Sequence, residues 1–266
     1  RNPGIDSARL NVFVLAEMRS MKNSAEMEAI DGRFGAALAD YAKILTYKGL
    51  SKDDRERMKG YIHAERGVLF YRLSNMDSAR AEMVAAVKFM REHDDDAKKA
   101  VIFYSSKAMY EQLIGQIDER LGDLDGARTA YAQALEEDLS FYGAHRKLSE
   151  LDLAKGDTAN ALLEIDLAVQ VQPNDPALRY EYATLLVTAH RDGEAVVQLM
   201  KAIAADSYYP APHMLLARIA DVEQYTDDAI REYQQYLALS PASDPQLAVA
   251  HERLSALTKP TSTSVA

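Results

Sequence analysis

Small and large apolar residues recur at a fixed interval through the second half of the chain. Four alanines are spaced by 34 residues: Ala127, Ala161, Ala195 and Ala229. A large residue follows each of them by four positions: Tyr131, Ile165, Leu199 and Tyr233. A small residue precedes each by twelve positions: Gly115, Ser149, Ala183 and Ala217. A repeat of roughly 20–50 residues is typical of proteins that stack one supersecondary unit many times.

Each repeat predicts a helical hairpin. Small residues at matched places let two antiparallel helices approach closely, and the large residue fills the space against the next hairpin. The pairs Gly122-Asp123 and Gly156-Asp157 indicate the turn, because glycine accepts a positive φ after one helix and aspartate caps the next. Pro173 and Pro241 predict where a second helix stops, since proline cannot continue it.

Before Ala108 the same pattern persists with a longer interval. Ala79 lies 48 residues before Ala127, and Ala37 lies 42 residues before Ala79. We interpret the extra residues as longer first helices, one of them starting near Asp96, capped by Asp94 to Asp96 and continuing past Leu113. An inserted short helix is the alternative interpretation.

The pattern predicts helices throughout and no convincing strand. The predicted spans are 6–30, 34–48, 52–74, 76–92, 96–121, 124–138, 142–155, 157–171, 176–189, 191–205, 211–223, 226–239 and 244–258. The stretch "DPQLAVAHERLSALTK" carries an apolar stripe behind Glu252, Arg253 and Lys259, which predicts a capping helix. The end, "PTSTSVA", has no periodicity and is expected to be a tail.

These recurring positions resemble the tetratricopeptide repeat (TPR), a family of 34-residue helix–turn–helix units. The resemblance is specific from Ala108 to Ser243. It departs where the family has an aromatic residue in the first helix, because Asp118 and Asp152 stand there, and the chain has no tryptophan.

The resemblance implies an all-α fold, a right-handed α-solenoid of stacked TPR hairpins with a C-terminal capping helix. We expect one continuous solenoid with four parts: divergent TPR-like hairpins with lengthened helices over residues 1–107, regular repeats over 108–243, the capping helix over 244–258 and a tail over 259–266.

The composition excludes or disfavours several classes of function. The 266 residues include 41 acidic and 31 basic side chains, for a formal net charge of −10. So acidic a chain is a poor candidate for nucleic-acid binding, which requires neutralisation of phosphates. There is no cysteine, which excludes disulfides, thiolate metal sites and a cysteine nucleophile. No apolar run reaches the ~18 residues of a membrane span. Because the chain starts at Arg1, we expect a trimmed, processed or cloned fragment.

Enzyme signatures are not found. The sequence contains no glycine-rich phosphate loop, no G-x-S-x-G elbow and no H-E-x-x-H zinc motif. The string "EHDDD" lacks the central glycine and the length of a calcium loop, so a helix cap is the better interpretation. We therefore expect no enzyme activity, no cofactor and no metal.

Two sets of polar residues fall inside the repeat. His63, His145 and His213 share one phase in non-neighbouring hairpins, so they cannot share a metal, and we interpret them as structural. Asp118 and Asp152 occupy positions that the family buries, and a buried carboxylate must be paired. Arg128 or Arg146 is a candidate partner, and a position open to water is the alternative.

In TPR proteins the first helices of successive repeats line a concave face. Residue by residue, the resemblance implies a partner-binding surface with tyrosine, methionine, arginine and lysine side chains: Tyr71, Arg72, Arg120, Arg146, Lys147, Tyr180, Met214 and Arg218. Tyrosine and arginine are enriched among binding hot spots. The carboxylate clamp of chaperone-binding TPRs is absent, since its positions hold Gln112, Gln116, Lys147, Ala177 and Glu181.

The resulting hypothesis is a non-catalytic TPR scaffold or adaptor that binds a protein or peptide segment through its concave groove. The alternatives are a regulatory or accessory module of a larger protein or complex, and an enzyme with a site in the concave cavity. An edge or the convex side is the alternative binding surface. The alanine-rich, acidic composition favours a bacterial protein of the periplasm, cell envelope or cytoplasm.

Overall fold

The computed structural model describes residues 3–47, 52–92 and 106–259, and these ranges contain helices and no strand. Thirteen helices lie in the described ranges: α1 (Pro3–Ile30), α2 (Phe34–Thr46), α3 (Lys52–Arg72), α4 (Met76–Glu92), α5 (Lys107–Leu121), α6 (Leu124–Glu137), α7 (Tyr142–Ala154), α8 (Thr158–Val171), α9 (Pro176–Thr188), α10 (Asp192–Ala205), α11 (Pro210–Val222), α12 (Thr226–Leu239) and α13 (Leu247–Thr258). The all-α repeat fold predicted from the sequence is confirmed.

The chain divides into two compact units, Arg1–Leu139 and Ser140–Ala266. In the first unit the hairpins α1/α2, α3/α4 and α5/α6 stack in chain order. In the second unit the hairpins α7/α8, α9/α10 and α11/α12 stack in the same way, and α13 packs on α12. Within each unit, a hairpin thus buries its apolar face against its neighbour, as expected for repeats that cannot form a core alone.

The alanines of the 34-residue interval form the helix contacts. Ala127, Ala161, Ala195 and Ala229 are all 0% exposed. The large residue that follows each of them is buried in the same core, with Tyr131 and Leu199 fully enclosed. The predicted register of small and large positions is therefore correct.

The hairpin turns share one backbone conformation. A residue with positive φ stands between the two helices of every hairpin: Gly32, Ser74, Gly122, Gly156, His190 and Gln224. The side chains of Asp123 and Asp157 then accept hydrogen bonds from backbone N–H groups three residues on, which caps α6 and α8. The turn predicted from the glycine-aspartate pairs is confirmed, and the serine, histidine and glutamine turns reproduce it without glycine.

The predicted helix over residues 96–121 is interrupted at Ser106, and its predicted start lies outside the described residues. The sequence indicated a helix from near residue 96, but α5 begins at Lys107, and Ser106 before it has φ −52° and ψ 135°, outside the helical region. The proposed aspartate cap, the alternative inserted helix and the C-terminal tail lie outside the described residues. The helices α1 and α3 have 28 and 21 residues, compared with 13 in α7. The division of the chain at residue 107 stays a prediction.

Within the described ranges, no helix combines the length and the apolar character that crossing a membrane requires.

Candidate functional site

The three histidines lie inside their own hairpins. The Nδ1 atom of His145 is 2.7 Å from a carboxylate oxygen of Glu164 on the second helix of the hairpin. His213 and Glu232 repeat this contact at 2.7 Å, and His63 and Glu82 repeat it at 2.6 Å. Each pair is separated by 19 residues, so the contact belongs to the repeat.

The same position in the α9/α10 hairpin holds a different polar pair. The Nη1 atom of Arg179 donates to Oε1 of Gln198 at 2.6 Å, again 19 residues apart. Since four hairpins use this position for a contact between their two helices, its role is structural, as we interpreted for the histidines. In the part of the chain that the structure describes, no three histidine or acidic side chains are grouped to hold a metal ion.

The two unusual aspartates are buried, and one has a partner that the sequence did not indicate. Asp118 is only 1% exposed and accepts hydrogen bonds from Nε of Arg80 and, at 3.1 Å, from Nη2 of the same side chain. The expected partners Arg128 and Arg146 are therefore wrong for Asp118. Asp152 is likewise buried. Both carboxylates therefore lie within the helix packing.

The second unit contains a groove between the first helices of two successive hairpins. This α7/α9 groove has a volume of about 280 Å³. It is lined by Arg146, Ser149, Glu150, Leu153, Ile165, Tyr180, Glu181, Thr184, Leu185 and Thr188. The structure thus brings Arg146 and Tyr180, two of the predicted binding residues, to one surface.

An ion-pair network links the two helices of the α7/α9 groove. Nε of Arg146 donates to Oε2 of Glu181 at 2.7 Å and lies 3.6 Å from Oε1 of Glu150. Nζ of Lys147 is 2.7 Å from Oε2 of Glu150. Burial acts to lower the pKa of Arg146, but the hydrogen bond and charge of Glu181 outweigh it, so the pKa is raised. The groove therefore presents a fixed, permanently charged guanidinium.

Apolar groups also line this groove. Leu153 is 42% exposed there, and Ile165 and Leu185 are buried beneath it. The ring of Tyr180 packs edge-on against Tyr209, with centroids 5.8 Å apart and planes at 73°. This contact holds Tyr180 in place, which lowers the entropy that binding would cost.

Met214 and Arg218 lie at a second cavity of the same unit. This α11/α13 cleft has a volume of about 520 Å³ and is bounded by the last hairpin and by α13. Met214 is 5% exposed and forms part of the core of α11, α12 and α13, so only its edge reaches the cleft. Arg218 is exposed.

The remaining predicted residues lie in the first unit. The guanidinium of Arg120 stacks on the ring of Tyr71 at 4.3 Å, and that of Arg72 lies 5.9 Å from the ring of Phe34. Such stacking of a cation on an aromatic face contributes about 0.5–1 kcal/mol at exposed sites. The sequence did not indicate these pairs, because the first-unit hairpins depart from the 34-residue interval.

Another cavity in the first unit was not indicated by the sequence. A cleft of about 460 Å³ lies along α4, α5 and α6 and contains the Arg80–Asp118 pair. It also contains Arg91, which lies 2.8 Å from the buried carboxylate of Glu111. Burial, the largest cause, raises the pKa of Glu111 although Arg91 acts to lower it. The paired charges indicate a structural role for this cleft.

No protein-family model matches the chain. Among curated proteins, the tetratricopeptide repeat protein 36 homolog of Drosophila pseudoobscura pseudoobscura is 36% identical over 92 residues, covering 31% of this chain and 48% of that protein. The TPR repeat-containing thioredoxin TTL4 of Arabidopsis thaliana is 29% identical over 94 residues, covering 35% of this chain and 14% of that protein. The chain therefore spans about half or less of the curated relatives it matches.

Solved TPR structures superpose on most of the chain. The C-terminal part of a TPR repeat-containing protein from Cytophaga hutchinsonii aligns with a TM-score of 0.65 at 18% identity, covering 82% of this chain and 78% of that one. The chain has the tetratricopeptide repeat fold. The Pseudomonas aeruginosa pilF structure covers 90% of this chain and 96% of its own at a TM-score of 0.58 and 16% identity.

A third TPR structure is YrrB, described as a TPR protein with an unusual peptide-binding site. It aligns with a TM-score of 0.55 at 16% identity and covers 73% of this chain and 91% of its own.

Proposed function

We propose that this chain is a non-catalytic TPR scaffold or adaptor, and that the α7/α9 groove is where it binds a segment of a partner protein. The observation that carries the proposal is the composition of that groove. A charged network around Arg146 links α7 to α9, and the partly exposed Leu153 and the ring of Tyr180 line the same groove.

This arrangement fits an extended peptide better than a small metabolite. The volume of the groove, about 280 Å³, lies below the ~300–1,000 Å³ that is typical of sites for small ligands. Hydrogen-bonding groups spaced along its length, Arg146, Glu150 and Thr184, could contact successive peptide groups. A tyrosine and an arginine in one partly buried surface are also the residue types that dominate binding energy at interfaces.

The comparisons support the same role. YrrB, whose fold this chain shares, is a TPR protein with a peptide-binding site. The alternative is a regulatory or accessory TPR module of a larger protein or complex. The name of the Arabidopsis thaliana relative supports this alternative, because it joins TPR repeats to a thioredoxin and the matched region covers 14% of it.

The test compares two variants that differ only in where a charge is added. Leu153→Arg places a long cation in the groove, and Leu163→Arg places one at a leucine on α8 that does not line the groove. The side chains are 42% and 55% exposed, so neither change disrupts the core. We expect a partner captured from native extract by the unmodified chain to be lost with Leu153→Arg and kept with Leu163→Arg.

Tyr180→Ala is the second variant of this test. Removal of the ring should weaken capture by about tenfold or more, since hot-spot aromatics contribute about 2 kcal/mol or more. Arg146→Glu is less informative, because it would place three acidic side chains together at Glu150 and Glu181. Equal capture by Leu153→Arg and the unmodified chain would exclude the groove as the binding surface.

A further inference from the structure

The cleft between α11 and α13 contains an arginine without a counter-charge. Arg218 is exposed on α11, and within the described residues its guanidinium makes no ion pair or hydrogen bond. Most other arginines of this unit are paired: Arg146 with Glu181, for example, and Arg231 with Asp228. An unpaired cation at a cavity is a group available to a ligand.

The acidic group nearest along the helix is already occupied. Asp221 follows Arg218 by three residues, but its two carboxylate oxygens accept from Nε and Nη2 of Arg253 at 2.8 Å each. Oδ2 of Asp221 also accepts from the hydroxyl of Tyr233 at 3.2 Å. These hydrogen bonds and the charge of Arg253 lower the pKa of Asp221, although burial opposes them. Asp221 therefore anchors α13 and leaves Arg218 unneutralised.

The charge balance of the cleft is positive. Its ionised lining groups are Arg218, Arg253 and Asp221, two cations and one anion, in a chain whose formal net charge is −10. Since Arg253 is paired with Asp221, an anion placed in the cleft would gain chiefly from Arg218, and the forked geometry of arginine suits a carboxylate.

Apolar side chains without cover flank this charge. Val222 is 79% exposed at the end of α11, and Val249 is 50% exposed on the facing side of the cleft. Together with the edge of Met214 they form an apolar wall, which an aliphatic side chain of a ligand could cover. The combination selects a ligand that carries a carboxylate and an aliphatic group close together.

We propose that the α11/α13 cleft is a second docking site, which binds an acidic segment of a partner protein. An aspartate or glutamate side chain of that segment pairs with Arg218, and a neighbouring aliphatic side chain packs on Val222 and Val249. This site is separate from the α7/α9 groove and does not depend on it.

Selection of random linear peptides displayed on phage, with the whole chain as bait, tests this proposal. We expect enriched peptides to carry an acidic residue beside an aliphatic one. Their affinity should fall by about tenfold or more with Arg218→Gln, because a hydrogen bond to a charged group is lost. Val249→Asp, which adds an acid to the cleft at an exposed position, should also weaken them.

Arg231→Gln is the matched control. Arg231 is an exposed arginine of α12 that pairs with Asp228 and does not line the cleft, so its loss should leave binding unchanged. Absence of enriched peptides, enrichment without acidic residues, or equal binding by Arg218→Gln would overturn the proposal. Peptides that lose binding with Leu153→Arg but not with Arg218→Gln would support the α7/α9 groove and overturn the second site.

Discussion

The ring of Tyr131 lies so close to Gly115 that a Cβ atom added to this glycine would be 2.5 Å from it. Tyr131 is fully buried, and its hydroxyl donates to Oε1 of Glu119 at 2.8 Å, which fixes the ring from its far end. The two helices of this hairpin can therefore approach only because residue 115 has no side chain.

Gly115→Ala should destabilise the chain. Overpacking of a filled core costs about 1–3 kcal/mol, and the helix propensity gained by alanine, up to about 1 kcal/mol, offsets only part of it. Gly35→Ala is the control, because nothing lies within 4 Å of a Cβ atom at that helical glycine. Urea unfolding should show a lower midpoint for the first variant and an unchanged or higher one for the second. Stabilisation by both would show that the contact is not tight.

The hairpin turns offer a test of backbone strain. Gly156 has φ +80°, and nothing lies within 4 Å of an added Cβ. Gly156→Ala therefore causes no clash, and its effect reports only the cost of a positive φ for a residue with a side chain. We expect a loss of about 1 kcal/mol, the usual cost of a left-handed conformation for a non-glycine residue.

Introducing a glycine at a later turn should stabilise the chain, whereas removing Gly156 should destabilise it. Gln224 has φ 63° at the corresponding position of the α11/α12 hairpin. Gln224→Gly should raise the free energy of unfolding by less than about 1 kcal/mol, because glycine relieves the strain but loses more entropy on folding. Thermal unfolding of Gly156→Ala and Gln224→Gly shows whether each variant is less or more stable than the unmodified chain. A destabilised Gln224→Gly variant would contradict this explanation of the turn.

The fold was predictable because the residues that pack between the helices recur at a fixed interval of 34 positions. Ala161 and Ala195 are buried at the places that the 34-residue spacing indicates, and Gly156 turns the chain where expected. Equal spacing places equivalent residues on equivalent helix faces, so one pattern determines several hairpins. The interruption at Ser106 was not predicted, because this segment follows the stretched interval and no equivalent hairpin indicates its register.

The candidate sites were predictable only in part, for the same reason. Arg146 and Tyr180 occupy equivalent positions in successive first helices, and the structure brings them to one groove. Arg253 of the second cleft was not foreseen as a lining residue, because α13 does not belong to the repeat. The Arg80–Asp118 pair links residues 38 positions apart across the stretched interval, so the periodic pattern gave no signal for it.

Arg80→Ala should be strongly destabilising. The substitution leaves the carboxylate of Asp118, which is 1% exposed, without its cationic partner. Removal of one partner from a buried ion pair lowers the free energy of unfolding by about 3–5 kcal/mol. Because the Arg80 side chain is itself 43% exposed, we expect a value toward the lower end, about 3 kcal/mol. Chemical denaturation measures the difference in the free energy of unfolding between Arg80→Ala and the unmodified chain.

Arg231→Ala is the control for the Arg80 variant, since its pair with Asp228 joins two exposed side chains and should contribute little. A small effect of Arg80→Ala, similar to that of the control, would mean that water reaches Asp118.

Hydrogen–deuterium exchange of the second unit, with and without a captured partner, tests the proposed role of the α7/α9 groove most directly. Helices that contact the partner should open less often and exchange more slowly. We predict slower exchange in α7 (Tyr142–Ala154) and α9 (Pro176–Thr188) than in the free chain. Slower exchange confined to α8 and α10, with α7 and α9 unchanged, would contradict the proposal.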